Sequence, residues 1–376
     1  MLKQKFTKKV LIPLAACMAI ASPGVAQEPT TPGGPSTNGN DTLNSIVTYE
    51  DMQKTLHKIE HSSHGLGKVE VFTLDQYGKT EQNRSIYAAT IGTGKTKVWI
   101  QAQIHGDEKL VTEAALQILK NLSSSQNADV ETILEELTIY VIPMYNPDGS
   151  IMNKRQTLVQ ETGQYVDLNR DWKEEGGFEA KESLTVYKYW VEVKPDYAID
   201  LHHQGFKTVY GTNESTSFSL GVSLAPDGPT LPNIYDGLYN KVTKQMVTYV
   251  YDELNKYGYT HIDRYQVGAG EQKYDIDIKG GVVSGMMLGL DYDGLNPEKH
   301  SNPAIFFETK GNSREGGLGQ KSNGYLTKQN YQALKAILYG IASKEVFDVE
   351  EERWYEIPAY PVAGYQTDTG IIPKID

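Results

Sequence analysis

The stretch "KVWIQAQIHGDEKL", residues 97–110, runs from an apolar segment through a polar turn into a helix-like pattern. Residues 97–104 are rich in β-branched and aromatic side chains, as buried strands are. Residues 109–122 have the apolar spacing of a helix. The turn between them carries His105 and Glu108, three residues apart. Because functional residues of α/β domains cluster at strand ends, this pair is a candidate metal site.

The same alternation of strand-like and helix-like segments continues along the chain. Further strands are predicted at 85–92, 137–145, 197–202 and 304–309, and further helices at 48–62, 178–193, 235–257 and 327–344. Strands separated by helices predict an α/β fold in a single domain, with a mixed, mostly buried β-sheet flanked by helices. Two long Gly-rich segments, 203–234 and 258–303, are predicted to be loops around a site.

The N-terminal residues differ from the rest of the chain. Four lysines precede the apolar run from Val10 to Ala21, and small residues follow it, which predicts a secretory signal peptide over 1–26. Residues 27–43 are rich in Pro, Gly, Ser and Thr and are predicted to be a disordered linker. Residues 44–376, including the C-terminal tail, are then predicted to form one domain, and we expect the protein to be secreted.

Cys17 offers an alternative to free secretion. The sequence "LAAC", residues 14–17, resembles a bacterial lipobox, in which Cys17 would carry a lipid anchor. The apolar run "MAIA" continues after it and favours simple secretion. Cys17 is the only cysteine, so cleavage after Ala26 would exclude disulfides, thiolate catalysis and Cys-based metal sites. No later apolar run reaches the roughly 20 residues of a membrane-spanning helix.

The charge of the chain limits the class of partner. Without the four lysines of residues 1–26, 32 basic residues face 48 acidic residues, a formal charge of −16. This charge argues against nucleic acid or an anionic membrane surface as a partner.

Polar clusters follow or interrupt the predicted strands, and their chemistry is mutually compatible. They are "HGDE" (105–108), "NPDG" (146–149), "DLNRDW" (167–172), "DLHHQG" (200–205) and "FFETKG" (306–311).

A zinc site can be assembled from these clusters. Catalytic zinc takes three protein ligands from His, Asp and Glu, and His105, Glu108 and one of His202 or His203 supply them. Because side chains alternate along a strand, only one of the two neighbouring histidines should face the metal. Glu308 lies in an apolar strand, where poor solvation would raise its pKa to a value suited to proton transfer.

In this order the five clusters resemble the motif series of the zinc carboxypeptidases of the M14 family. Upstream, "TYEDMQKTL" and "NRSIYAATIG" are similar to the N-terminal helix and first hairpin of that domain. The resemblance covers about residues 48–345, and the series is highly specific although each motif is short. It implies an M14-like fold with one zinc ion per chain.

The resemblance assigns metal ligands and one supporting residue. The first His of the family's series, the Glu three residues on and the His of the later strand bind zinc, which corresponds to His105, Glu108 and His202. The Asp of the family's Asp-x-Asn-Arg motif corresponds to Asp167 and orients the first ligand histidine.

The resemblance also assigns residues that act on the substrate. Asn169 and Arg170 would hold the terminal carboxylate of the substrate, Arg170 through a bidentate contact. An arginine between "NPDG" and "DLNR" polarises the scissile carbonyl in the family, and Arg155 is the only arginine there. Glu308 corresponds to the general base, which would accept a proton from metal-activated water.

Two further roles fall on the segment before Glu308. The family has a mobile tyrosine that closes over the substrate; Tyr265, Tyr274 and Tyr292 are candidates, and Tyr292 is preferred because it lies closest upstream of Glu308. Family members that remove Lys or Arg carry an acidic residue on the pocket floor. Asp291 and Asp293 lie in that stretch and suggest a basic side chain or the second amine of diaminopimelate in cell-wall peptides.

The resemblance therefore implies a monomeric metallocarboxypeptidase that cleaves the C-terminal bond of peptides with a free carboxylate, with cell-wall stem peptides among the expected substrates. One alternative is the aspartoacylase-like or desuccinylase-like zinc deacylases of N-acyl amino acids, which share H-x-x-E, "DLNR" and a "DLH" strand. Another is a catalytically inactive binding protein of the same fold.

A competing zinc motif lies nearer the N-terminus. His57, Glu60 and His61 match an H-x-x-E-H pattern known from one class of zinc peptidases. The pattern falls on the polar face of the predicted helix 48–62, and no following helix offers the further carboxylate ligand. We therefore expect a solvated helix face there.

Overall fold

The computed structural model describes residues 47–205, 207–311 and 319–374. The predicted signal peptide, with Cys17, and the predicted linker lie outside these residues. The strands, in chain order, are β1 (Val69–Thr73), β2 (Tyr87–Ile91), β3 (Thr96–Ala102), β4 (Leu137–Ile142), β5 (Thr157–Val159), β6 (Gln164–Val166), β7 (Tyr197–Gln204), β8 (Phe218–Gly221), β9 (Ile262–Arg264), β10 (Lys273–Ile276), β11 (Ala304–Lys310), β12 (Val362–Thr367) and β13 (Gly370–Pro373).

Helices separate most of the central strands. The α-helices are α1 (Tyr49–Ser62), α2 (Leu110–Ser124), α3 (Ala128–Glu136), α4 (Pro147–Met152), α5 (Lys181–Val193), α6 (Leu238–Asn255), α7 (Val282–Leu288) and α8 (Gly319–Ser343). In the described part of the chain, no helix combines the length and apolar character needed to cross a bilayer.

Eight strands form one mixed sheet in the order β1-β2-β4-β3-β7-β11-β8-β9. Its centre is parallel, since β3 pairs in parallel with β4 and β7, and β7 pairs in parallel with β11. The antiparallel pairs β1-β2, β2-β4 and β8-β11 lie outside this centre. The expected mixed, mostly buried sheet is confirmed, and the carboxyl ends of β3, β7 and β11 meet at one edge.

Apolar side chains cover both faces of the sheet. Along β3, Val98 and Ile100 face a core packed by α1, α2, α3, α6 and α8, whereas Trp99 faces a core packed by α5 and α7. This alternation follows from the two-residue period of a strand. Helices on both faces leave the strand ends as the place where polar groups can gather.

Helix α1 illustrates how local sequence sets an element. The Thr48 hydroxyl accepts a hydrogen bond from the Asp51 amide and caps the first turn. Met52, Leu56 and Ile59 are buried at helical spacing against the sheet. The predicted helix over 48–62 is therefore confirmed.

The two segments predicted to be loops contain regular structure as well. Strand β8 lies in 203–234, and β9, β10 and α7 lie in 258–303. These strands have only three or four residues, too few to show a period in the sequence. The prediction of loops was wrong at β8, all of whose residues are buried between β11 and β9.

Candidate functional site

The three candidate metal ligands meet where β3 and β7 end. His105 and Glu108 follow β3, and His202 lies in the neighbouring parallel strand β7. Nδ1 of His105 is 2.8 Å from Oε1 of Glu108 and 3.2 Å from Nδ1 of His202, which is itself 3.1 Å from Oε2 of Glu108. Among the residues that the structure describes, these three form the one group of His, Cys, Asp or Glu whose ligand atoms all lie within 4.8 Å of one another.

The outer nitrogen of each histidine contacts a carboxylate. Nε2 of His105 is 3.2 Å from Oδ1 of Asp167, and Nε2 of His202 is 2.8 Å from Oδ2 of Asp200. A ring that donates through Nε2 presents a lone pair at Nδ1, so two lone pairs and the Glu108 carboxylate face one another. Such a buried set requires a cation or a proton between its members. Two histidines and a glutamate, each histidine held by an outer carboxylate, fit Zn²⁺.

The pKa values of Glu108 and His202 show that these two residues stabilise each other's charged forms. Burial would raise the pKa of Glu108, but His105 and His202 hold this pKa well below its usual range. Burial would likewise lower the pKa of His202, but Asp200 and Glu108 hold it well above its usual range. The cluster is therefore stable only when positive charge balances its carboxylates.

His203, the other histidine of the pair, lines the same cavity as His105 and His202 but is not part of this cluster. Its Nε2 accepts a hydrogen bond from the Leu110 amide at the start of α2. Burial lowers the pKa of His203 to about 4, which keeps the ring neutral. The structure thus brings His202, and not His203, to His105 and Glu108.

Two glycines allow "NPDG" to pack against the turn that carries His105. The Asn146 side chain caps α4 by accepting from the Gly149 amide. A Cβ on Gly106 would lie 2.1 Å from the Gly149 carbonyl carbon, so a residue with a side chain does not fit at position 106. The Gly106 amide donates to the Arg155 carbonyl. "NPDG" therefore has a structural role: it fixes the chain before Arg155 against the His105 turn.

Arg155 reaches the metal-ligand candidates. Its Nε donates to Oδ2 of Asp167 over 3.0 Å, and its Nη1 lies 3.1 Å from Nδ1 of His105 and 3.6 Å from Oε1 of Glu108. One carboxylate, Asp167, thus contacts both His105 and Arg155. Burial opposes the ionisation of Asp167, but His105, Arg155 and Arg170 hold its pKa far below its usual range.

Glu308 lies directly beside His202. The two residues are register partners in the parallel β7–β11 pair. Glu308 is 7 % exposed, and its Oε2 is buried without a hydrogen-bond partner among the described residues. Burial, reinforced by the charge of Glu108, raises the pKa of Glu308 to about 8. Glu308 thus lines the cavity beside His202 and has one carboxyl oxygen without a partner among the described residues.

Asn169 and Arg170 lie in a short 3₁₀ turn, Leu168–Arg170. Oδ1 of Asn169 accepts from the Val282 amide at the start of α7, which leaves the amide nitrogen of this side chain as a donor. Arg170 is exposed, and its Nη1 donates to the Asn169 carbonyl over 2.6 Å. Both side chains line the same cavity as Arg155, His202 and Glu308, called the main cavity below.

Besides His105 and His203, the rest of the main cavity has a largely apolar wall. This wall is formed by Ser223, Tyr265, Val267, Ile276, Ile278, Val283 and Phe306. Sequence analysis missed most of it because the residues lie in the segment predicted to be loop. The alternating "IDI" at 276–278 was the available signal, since alternation puts both isoleucines on one side.

Tyr292 and Asp293 do not line the main cavity, contrary to expectation. The Tyr292 ring packs edge-on against Phe178 and Tyr187, and its amide donates to the Tyr187 hydroxyl. Asp293 is exposed on the turn that follows α7. The predicted lid and pocket-floor roles are therefore unsupported.

Of the three candidate tyrosines, Tyr265 is the one that lines the main cavity. Its ring packs edge-on against Phe306, with 5.3 Å between the ring centroids. The charge of Glu308, followed by burial, raises the pKa of Tyr265 above its usual range and keeps the hydroxyl protonated.

The competing H-x-x-E-H motif lies on α1, away from the other candidate ligands. His57 and His61 are exposed, and Nδ1 of His57 is 3.5 Å from Oε2 of Glu60. Oε1 of Glu60 accepts a hydrogen bond from the Val71 amide in β1. The predicted solvated helix face is what the structure contains.

Comparisons with a family model and with curated relatives all point to the same protein family. Residues 68–277, more than half of the chain, match the family model of the M14 peptidases, described as zinc carboxypeptidase. The chain is 23% identical over 178 residues to Carboxypeptidase 2 of Trichophyton rubrum, covering 46% of this chain and 31% of that protein. It is 26% identical over 147 residues to Carboxypeptidase A2 of Mus musculus, covering 35% and 34%. The aligned part thus spans less than half the length of these curated relatives.

A solved structure agrees in fold. The metallo-carboxypeptidase of Burkholderia cenocepacia superimposes with a TM-score of 0.53 at 17% identity, covering 79% of this chain and 69% of that chain. At this identity the likeness concerns the fold alone.

Proposed function

Because the chain belongs to the M14 family of zinc carboxypeptidases, we propose that it hydrolyses the C-terminal peptide bond of peptides that have a free carboxylate. One observation carries the proposal: the two histidines of the buried group of His105, Glu108 and His202 line the same cavity as Glu308 and the exposed Arg170. The cavity thus combines groups for metal binding, proton transfer and carboxylate binding.

His105, Glu108 and His202 would hold one zinc ion per chain. When bound there, zinc supplies Lewis acidity and makes water a nucleophile at neutral pH. Asp167 and Asp200 hold the outer nitrogens of the two histidines and so fix the ring orientations.

Glu308 is the proposed general base. Its buried Oε2 takes a proton from the attacking water and delivers it to the nitrogen of the leaving amine. Its pKa of about 8 is near neutral pH, which suits a group that must accept and then donate a proton.

Arg155 and Arg170 are proposed to bind opposite ends of the reacting unit. Arg155, fixed by Asp167 beside the metal-ligand candidates, donates to the oxyanion that develops on the scissile carbonyl. Arg170 and Asn169 bind the terminal carboxylate, and Arg170 is free to do so through two parallel hydrogen bonds. A requirement for this carboxylate restricts cleavage to the last peptide bond.

The apolar wall supports a preference for an apolar or aromatic C-terminal residue. Ile276, Ile278, Val283 and Phe306 offer no counter-charge to a basic side chain. The suggestion of a basic residue or diaminopimelate in cell-wall stem peptides depended on Asp291 and Asp293, and Asp293 is exposed outside the cavity. We further propose that the protein is secreted, on the basis of the signal-like residues 1–26. We also propose that it acts as a monomer.

The test is hydrolysis of N-acylated dipeptides that end in Phe, Leu, Lys or Asp, each with a free and an amidated C-terminus. We expect release of Phe and Leu from the free acids only, measured by mass spectrometry. Equal cleavage of the amides would refute carboxypeptidase action. Cleavage of N-acyl amino acids, with no cleavage of any peptide, would favour the deacylase alternative.

A further inference from the structure

A second cavity, of about 240 Å³, lies on the other side of two segments that line the main cavity. Arg264 and Asp275 line this second cavity, whereas their chain neighbours Tyr265 and Ile276 line the main cavity. Successive side chains of an extended chain point in opposite directions. The two cavities therefore share the Arg264–Tyr265 and Asp275–Ile276 segments as a common wall.

Arg264 brings a positive charge that forms no direct ion pair among the described residues, although the charges of Asp275 and Asp227 act on it. Its guanidinium stacks on the Trp354 ring, with 4.7 Å between Cζ and the ring centroid. Its Nε is buried and has no hydrogen-bond partner among the described residues. Burial lowers the pKa of Arg264, and the charges of Asp275 and Asp227 offset only part of this effect, so a bound anion would further stabilise the guanidinium.

Asp275 brings the opposite charge. Its Oδ1 accepts from Nε2 of Gln266, a neutral group. Burial raises the pKa of Asp275 even though the charges of Arg264 and Lys374 lower it, so its carboxylate would gain from a bound cation. Asp227, on the same cavity, differs because Lys244 and the Tyr355 hydroxyl already donate to it. The cavity thus presents one guanidinium and one carboxylate that do not form an ion pair with each other.

We propose that the second cavity binds a free α-amino acid as its zwitterion. The carboxylate would pair with Arg264 through two parallel hydrogen bonds, and the ammonium group would pair with Asp275. The volume is below the roughly 300–1,000 Å³ of pockets for drug-sized ligands, which suits a molecule of this size. The ligand would be the amino acid that the enzyme itself releases, and this part of the proposal rests on the proposed function. The amino acid site itself does not depend on the proposed function.

Molecules with a single charge fit this cavity less well. An inorganic anion would pair with Arg264 but would face the carboxylates of Asp275 and Asp227. A simple cation would pair with Asp275 but would face Arg264 and Lys374. A dipolar ligand places a charge of opposite sign beside both Arg264 and Asp275.

The test is calorimetric titration of the Arg170→Gln variant with L-leucine, N-acetyl-leucine, leucinamide and acetate. This variant removes the carboxylate-binding group proposed for the main cavity. We expect saturable binding of leucine and binding of each single-charge analogue that is weaker by about tenfold or more. Leucine should also change the tryptophan fluorescence, and Trp354→Phe in the same background should abolish that change.

Variants of the second cavity complete the test. In the Arg170→Gln background, Arg264→Gln and Asp275→Asn should each weaken leucine binding by about tenfold or more. Arg264→Lys keeps the charge but not the paired donors, so it should also bind leucine weakly. This variant replaces Arg264→Gln in the test if Arg264→Gln does not fold. No leucine binding, equal binding of acetate, or full binding by both Arg264 variants would overturn the proposal. The titration measures binding and requires no turnover. Glu308→Gln should therefore leave leucine binding unchanged, so the amino acid site can be tested even if the proposed reaction is wrong.

Discussion

Two H-x-x-E segments of this chain have the same spacing and entirely different surroundings. His105 and Glu108 follow a buried central strand and meet His202 from the next strand. His57 and Glu60 lie on an amphipathic helix, where the histidine is exposed and the glutamate holds a backbone amide. The three-residue spacing places the histidine and the glutamate next to each other in both segments. Whether a third ligand lies within reach depends on the secondary structure element that carries the pair.

The largest expected difference between the two segments is in bound zinc. His105→Ala should lose zinc and peptide hydrolysis to background because it removes one of three ligands. His57→Ala, the matched control, should keep both since His57 is exposed on α1. Elemental analysis of the two purified variants measures the difference. Zinc retained by His105→Ala, or lost by His57→Ala, would contradict the proposed metal centre.

The next effect separates catalysis from metal binding. Glu308→Gln should lower kcat by about 10²–10⁴ while zinc is retained, because an amide cannot accept the proton. Glu182→Gln is the matched control: Glu182 is fully buried and has a pKa raised to about 8 by burial, but it does not line the main cavity and its Oε1 accepts from Thr157. Steady-state kinetics of both variants make the comparison. Normal turnover by Glu308→Gln would rule out the assigned base.

Arg155→Ala should lower kcat by about 10²–10³, the typical cost of one preorganised oxyanion donor. Arg155 also contacts Asp167, so zinc content must be measured beside kcat. Arg155→Lys should recover part of the activity, since it restores the charge but not the forked donors. If Arg155→Ala retains near-normal kcat, another group stabilises the oxyanion.

A smaller effect is expected from the carboxylate behind His202. Asp200→Asn should weaken zinc binding by about 10–100-fold because it alters the group that orients the ring and makes it basic. Asp291→Asn is the control, since Asp291 accepts only the Asn296 amide. Competition with a chelator gives both affinities. Equal affinities in the two variants would mean that Asp200 does not tune the metal.

The sequence predicts the central part of the molecule better than the loops. The long apolar runs of β3, β4, β7 and β11 are visible because buried parallel strands lack polar interruptions. The turn at His105 is predictable for the same reason, since it follows the best-defined strand. Alternation along "DLHH" correctly indicated that one of His202 and His203, and not both, joins the cluster.

Other features depend on distant parts of the chain. Tyr292 was favoured by its distance along the sequence from Glu308, but its ring packs edge-on against Phe178 and Tyr187, outside the lining of the main cavity. Tyr265 and Ile276 reach the main cavity through very short strands whose pairing is set by tertiary contacts. Apart from the short alternation "IDI" at 276–278, such pairing leaves no period in the local sequence, so propensity alone cannot identify most of these residues.

The smallest prediction concerns stability and tests the helix segment directly. Glu60→Ala should lower the free energy of unfolding by about 1 kcal/mol, because it removes the acceptor of the Val71 amide and loosens α1 from β1. Glu60→Gln keeps an acceptor oxygen and should cost only a few tenths of this. Urea denaturation measures both variants, with zinc content and hydrolysis unchanged in each. A loss of zinc in Glu60→Ala without loss of stability would indicate that the α1 motif binds the metal. The expected result would instead show that Glu60 stabilises the contact between α1 and β1.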